Sequence, residues 1–124
     1  PELAERLQAA VSLAAENRGS TASVSPEQMK QALGEGWVAE EALAIGLYAA
    51  LAASNAGTPQ EHFRRAVGLS VNHDGDSDST ASVTGNILGV LYGLEALPAD
   101  WLSAIDARET VEAMADAFIG VTAG

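Results

Sequence analysis

An all-α fold, a compact orthogonal bundle of helices, is what this sequence predicts, and three observations carry that expectation. Apolar residues recur at three- and four-residue spacing along most of the chain. Two segments, Ser25-Pro26-Glu27-Gln28 and Thr58-Pro59-Gln60-Glu61, have the order of hydroxyl, proline and amide or acid that opens a helix. No run of β-branched residues alternates with period two, so no sheet is expected.

The elements follow in order. Leu3, Leu7, Ala10, Val11 and Ala14 make one face of a first helix, which ends in the polar run Asn17-Arg18-Gly19-Ser20. Ser25 caps a short second helix that stops near Gly34. Gly34-Glu35-Gly36-Trp37 is a tight turn into a third helix, Val38 to about Ala53, which is apolar nearly all round and therefore expected at the centre. Thr58 opens a fourth helix with Phe63, Ala66, Val67, Ser70 and Val71 on one face. A helix from about Thr80 to Leu94 carries Gly85, Gly89 and Gly93 four residues apart, a stripe that predicts close packing of a neighbouring helix. Pro98 begins a short helix in which Trp101 is expected to pin the element to the core. Asp106 and Glu109 cap a last helix whose predicted core face is Val111, Met114, Ala115 and Phe118. There is no internal repeat.

Composition narrows the function. An apolar fraction of 48% is ordinary for a globular chain, but alanine supplies much of it and there are only two each of Phe, Tyr and Trp. The core is therefore expected to form from small side chains on closely approaching helices. A net charge of −11 opposes nucleic acid and anionic membranes, both of which are bound through cationic side chains. It also opposes anionic small molecules unless a bound cation offsets it. Without cysteine there is no disulfide, thiolate metal site or cysteine nucleophile, which fits a cytoplasmic setting. The longest apolar stretch, Ala42 to Ala53, falls short of the about 20 residues of a membrane-spanning helix. No signal peptide is visible, and the start at Pro1 without Met suggests a fragment or a processed product.

The segment Asn72-His73-Asp74-Gly75-Asp76-Ser77-Asp78-Ser79-Thr80 is the one strongly irregular polar stretch. Crowding Asp74, Asp76 and Asp78 into one turn is unfavourable unless water or a cation screens them. Carboxylate and hydroxyl oxygens are the donors that hard cations select. The alternative is a solvated acidic turn, with Asp78 or Ser79 as N-cap of the helix starting near Thr80. An EF-hand loop from Asp74 would need glycine sixth and glutamate twelfth, where the chain has Ser79 and Gly85. A phosphatase-type Asp-x-Asp nucleophile follows a buried strand, whereas the residues before Asp76 end a helix.

Gly75-Asp76-Ser77-Asp78-Ser79-Thr80, Thr84-Gly85-Asn86-Ile87-Leu88-Gly89 and Leu97-Pro98-Ala99-Asp100-Trp101, in this order and spacing, resemble the C-terminal portion of the ADP-ribosylglycohydrolases. Upstream, Gly34-Glu35-Gly36-Trp37-Val38-Ala39-Glu40-Glu41-Ala42-Leu43-Ala44-Ile45 is similar to the matching segment of bacterial members, which include ADP-ribosyl-arginine hydrolases and dinitrogenase-reductase-activating glycohydrolases. The resemblance implies that residues 1–124 are the C-terminal part of one all-α domain whose N-terminal half is absent. It implies a hydrolase that cleaves the bond between ADP-ribose and an arginine nitrogen or a hydroxyl oxygen. Magnesium is the implied cofactor, in two sites, with manganese as a substitute. By the same resemblance Asp76, Asp78 and Ser79 are metal ligands. Gly75, Ser77 and Asp74 beside them, with Gly36 and Trp37 on the glycine turn, are the candidate ligand-contacting residues.

The implied partners are ADP-ribose or an ADP-ribosylated protein, and the N-terminal half, as a separate chain or a cleaved piece. No catalytic residue can be named, because the family's Gly-Asp and Thr-Asp-Asp segments, which supply the remaining ligands and the acid, are absent here. The chain alone therefore has half a cage and is expected to be inactive by itself. Two positions depart from the family pattern: Asp74 stands where small residues are usual, and Ala81 where glycine is common. A non-catalytic ADP-ribose-binding or interaction module that keeps the fold is the competing reading.

Outside the loop, Trp37 is expected either to stack on the ligand or to anchor the third helix in the core. Glu40 and Glu41 either face the site or serve the helix dipole. His73 is expected to hydrogen-bond and not to ligate, and His62, Arg64 and Arg65 to form a solvated face.

Overall fold

A computed structural model describes residues 2–18 and 24–123, so Gly19 and Ser20 of the first polar run, like Pro1, lie outside the described residues. The described residues form seven α-helices, α1 (Glu2–Asn17), α2 (Pro26–Leu33), α3 (Ala39–Ala52), α4 (Pro59–Val71), α5 (Ser77–Tyr92), α6 (Ala99–Ala104) and α7 (Arg108–Thr122), with a 3-10 turn at Gly93–Ala96 and no strand. The fold is all-α, as the periodicity predicts.

Local chemistry sets the helix starts. At α2 the Ser25 hydroxyl accepts from the Gln28 N–H at 3.2 Å, while the Gln28 side chain accepts from the Ser25 N–H at 3.0 Å. Pro26 fills the first position, where no N–H is needed. Thr58 caps α4 in the same way, accepting from the Glu61 N–H at 3.1 Å.

The central helix is α3, which packs against α1, α2, α4 and α5. Its alanines let neighbours approach from several sides, and it divides the core in two. On one side Ala44, Ile45, Tyr48 and Ala52 meet Ala10, Ala14, Val24, Met29 and Leu33. On the other, Ala50 and Ala53 meet Phe63, Ala66, Leu88 and Ala96. Apart from Phe63, Tyr48 and His62, the buried side chains carry no ring, so fit depends on close backbone approach.

That approach is made at Gly46 and not along the glycine stripe of α5. A Cβ on Gly46 would come within 2.7 Å of the Val83 side chain, whereas Gly89 and Gly93 have nothing within 4 Å and Gly85 only the Phe63 ring edge at 3.8 Å. The close contact of α3 with α5 is thus opposite to the one expected: the small residue is on α3.

Three further expectations change, and the one for Trp101 is met in part. Helix α5 begins at Ser77, not near Thr80, and its N-cap is Asp76, not Asp78 or Ser79. The Ser77 hydroxyl donates back to the Val71 and His73 carbonyls, which closes the preceding loop and starts the helix early. His62 is buried, not solvated, with Nδ1 bonded to the Tyr92 hydroxyl at 2.7 Å and Nε2 to the Ala50 carbonyl at 2.7 Å. Its two ring nitrogens are both satisfied, which is what allows a polar ring inside. Trp101 packs edge-on to Phe63 with centroids 6.1 Å apart and lies under the Arg64 guanidinium, yet stays 39% exposed. The predicted core face of α7 is open: Val111, Met114 and Phe118 are all exposed, and α7 packs closely on no other described helix. Its periodicity marks an apolar face, but among the described residues nothing covers that face.

Two outcomes follow from this distribution of burial. Leu88→Ala should lose about 2–5 kcal/mol in urea denaturation, whereas Phe118→Ala should change stability by less than about 0.5 kcal/mol. Burial raises the Tyr48 phenol above its ordinary value, with a hydrogen bond from the Val24 backbone partly offsetting it. A raised acid holds its proton more tightly in the folded chain, so its contribution is intact below the unfolded value and lost as pH rises past it. Between about pH 9 and about pH 11 the protein should therefore lose stability, and Tyr48→Phe should lose less over the same range.

Candidate metal and ligand site

The site begins where α4 ends. Asn72 terminates the helix, and the chain must turn through residues 73–76 before α5 can start. Three contacts fix that turn. The Gly75 N–H donates to His73 Nδ1 at 3.0 Å. An N–H cannot accept, so Nδ1 is the unprotonated nitrogen and the imidazole proton sits on Nε2, which donates to the Thr80 hydroxyl at 3.0 Å. Thr80 is fully buried and donates in turn to the Ser70 carbonyl at 2.6 Å, tying the end of α4 to the start of α5. His73 thus makes the hydrogen bonds expected of it. Thr80 was not singled out by the sequence; a hydroxyl four residues into a helix start gives no pattern signal.

The third contact comes from the turn before α3. The Asp76 N–H donates to the Glu35 carbonyl at 2.8 Å, so two loops 41 residues apart meet backbone to backbone. Glycine is required there, because a Cβ on Gly75 would overlap the Glu35 carbonyl. The opposing turn has its own requirement at Gly36, whose φ of +85° disfavours any other residue. A Cβ on Gly36 would also approach the Thr80 methyl within 2.8 Å.

The Glu35–Gly36 turn is held from beneath by α3. Glu41 accepts the N–H of Glu35 and of Gly36 through one carboxylate oxygen, each at 3.0 Å, and its other oxygen lies 3.7 Å from the Arg6 guanidinium. The dipole reading of Glu41 is therefore too small: it is a clamp. Lys30 pairs with the Glu35 side chain at 3.0 Å.

On this platform the Asp76, Asp78 and Ser79 side chains come together. The Asp76 carboxyl is held below the ordinary carboxylate range by its neighbours, the Asp78 side chain first and the Ser79 side chain next. Asp78 and Ser79 lie in the first turn of α5, where the helix N-terminus favours negative charge. All three donors are oxygens, the set that suits a hard divalent cation. Among the described residues no group of three or more His, Cys, Asp and Glu gathers as a metal cage, so this side of the site offers two carboxylates and a hydroxyl.

The other candidates are placed differently. Asp74 is exposed and lines a separate cleft of about 100 Å³ with Lys30, Glu35 and His73; Asp76 and Asp78 do not line it. The Ser77 hydroxyl is engaged with the Val71 and His73 carbonyls. Gly36 is buried under the loop, while Trp37, next in the chain, is 64% exposed, which removes the core-anchor reading of that residue. Glu40 makes none of the contacts that Glu41 makes. No described helix is long and apolar enough to cross a membrane.

Comparison with known proteins places these residues in context. The sequence signature of the ADP-ribosylglycohydrolase family matches residues 1–124. ADP-ribosylarginine hydrolase Tri1 of Serratia proteamaculans (strain 568) is 36% identical over 56 residues, which is 45% of this chain and 15% of that protein. ADP-ribosyl-[dinitrogen reductase] glycohydrolase of Rhodospirillum rubrum is 35% identical over 46 residues, 37% of this chain and 16% of that one. The matched stretch is thus less than a fifth of either relative. No solved structure matches the chain.

Gly75→Ala should lower stability by about 1–3 kcal/mol in thermal denaturation, since one of the two loops must move. Gly89→Ala, helical and with open space around it, should instead raise stability by up to about 1 kcal/mol.

Proposed function

Since the chain belongs to the ADP-ribosylglycohydrolase family, we propose that it forms one side of a magnesium-dependent site that hydrolyses the bond between ADP-ribose and a protein side chain. The observation that carries this reading is the meeting of Asp76, Asp78 and Ser79 oxygens on a turn locked by Glu35, His73 and Thr80. The reading extends to an arginine-linked substrate, because one relative is named for ADP-ribosylarginine, and to a protein-borne one, because the other is named for ADP-ribosyl-dinitrogen reductase. Hydroxyl-linked ADP-ribose is the second linkage considered.

In this proposal Asp76, Asp78 and Ser79 hold the cation, Mg²⁺ or in its place Mn²⁺. When bound, such an ion orients hydroxyls and water and stabilises developing negative charge. The residues here serve that arrangement by geometry. Asp76 is fixed through its own N–H, so its carboxylate loses little freedom on binding. Asp78 and Ser79 ride on a helix whose first turn sets their spacing. A net charge of −11 repels a pyrophosphate, and a cation at this turn reverses the sign of the field locally. Trp37, exposed beside the turn, offers a flat apolar face for an adenine or ribose. With two carboxylates on this side, the remaining ligands and the proton donor come from residues beyond these 124, as part of the same domain or from a separate chain.

The test is turnover of ADP-ribosyl-arginine by the full-length protein that contains this chain, with and without EDTA. Asp76→Asn and Asp78→Asn should each reduce turnover by more than about 100-fold, since direct ligands are worth more than the outer partners that orient them. Both should also abolish the rise in melting temperature that Mg²⁺ gives the wild type. Full activity in EDTA would overturn the metal reading. Tight ADP-ribose binding without turnover would instead make the chain part of a binding module.

A further inference from the structure

We infer that Glu41 is a positioning residue for the candidate metal turn, acting through a single peptide group and never touching a ligand. The inference rests on the reading of Asp76, Asp78 and Ser79 given above. Its physical basis is that the N–H of Gly36 and the C=O of Glu35 belong to the same peptide unit. Glu41 accepts a hydrogen bond from that N–H at 3.0 Å, and the same unit's carbonyl accepts from the Asp76 N–H at 2.8 Å. A carboxylate on one side of a peptide polarises the carbonyl on the other, so the two bonds strengthen each other. The neighbouring Glu35 N–H, also on Glu41 at 3.0 Å, prevents the unit from rotating.

The surroundings fit this task. The Glu41 side chain is only 18% exposed, and Arg6 from α1 lies 3.7 Å from its second oxygen. That ion pair keeps the carboxylate aimed at the turn. Gly75 is pressed against the same carbonyl, so a shift of the Glu35–Gly36 peptide moves Gly75 and Asp76 together. A carboxylate in the first turn of α3 thereby sets the position of a carboxylate before α5. Glu40, one residue earlier, has no such path.

Amide exchange followed by NMR on the 124-residue chain tests the relay without any metal. In Glu41→Ala the Asp76 amide should exchange at least about tenfold faster, while amides in the middle of α3 such as Ala49 keep their rates. Affinity of the full-length protein for Mn²⁺, read by electron paramagnetic resonance, should fall about 10–100-fold, as for other residues that orient a ligand from behind. Glu41→Gln, which keeps an oxygen acceptor, should recover most of the Asp76 protection, and it serves as the variant if Glu41→Ala does not fold. Glu40→Ala should change neither readout. Unchanged Asp76 exchange in both Glu41 variants would overturn the inference, as would uniform acceleration throughout α3. Faster Asp76 exchange, with no Mn²⁺ bound by the full-length wild type, would uphold the relay and sink the metal reading of the turn.

Discussion

The arrangement of this protein's candidate site depends on one backbone hydrogen bond, from the Asp76 N–H to the Glu35 carbonyl. Each partner lies in an irregular segment between helices, where the backbone has no ladder to satisfy it. Joining them satisfies a donor and an acceptor at once and brings the start of α5 against the start of α3. Glycine at 75 makes the approach possible, and glycine at 36 lets the opposing turn present its carbonyl in the required direction. Everything else near the site refines this junction: Glu41 from beneath, His73 and Thr80 from the side, Lys30 on the Glu35 side chain.

The helices supply what such a junction needs, two fixed ends. Alanine-rich α3 can be approached closely on several faces, and Gly46 admits Val83 of α5 where any larger residue would collide. The distance between the beginnings of α3 and α5 is then set by backbone packing, with few flexible side chains between. Small side chains bury less apolar area each, but they lose almost no rotamer freedom on folding, which suits a platform that must hold two loops in register.

A second theme is the treatment of polar groups inside. His62, Thr80, Thr84 and Ser70 are all buried, and among the described residues every buried side-chain nitrogen and oxygen has a partner. These groups cross-link α3, α4 and α5: His62 reaches the Ala50 carbonyl and the Tyr92 hydroxyl, and Thr80 the Ser70 carbonyl. They limit how the three helices can slide, which apolar contacts alone would not do. The site thus sits on helices whose sliding is limited, whereas among the described residues nothing covers the apolar face of α7.

The sequence by itself determined the elements and their class. Caps at Ser25 and Thr58, the apolar run of α3 and the absence of alternating runs act within a few residues, so a linear reading finds them. It also marked the acidic turn and the Gly34–Trp37 turn as separate candidates. Only the tertiary structure decided how they relate. Hydrogen bonds require atoms within about 3 Å, and which groups reach that distance across 41 residues is set by packing, not by local pattern. For that reason no linear pattern reports the clamp made by Glu41, the link made by Thr80 or the need for glycine at 75, and the helical face that carries His62 reads as solvated. Periodicity likewise gave α7 an apolar face, because it reports which residues share a side; whether anything covers that side is a fact about the rest of the fold.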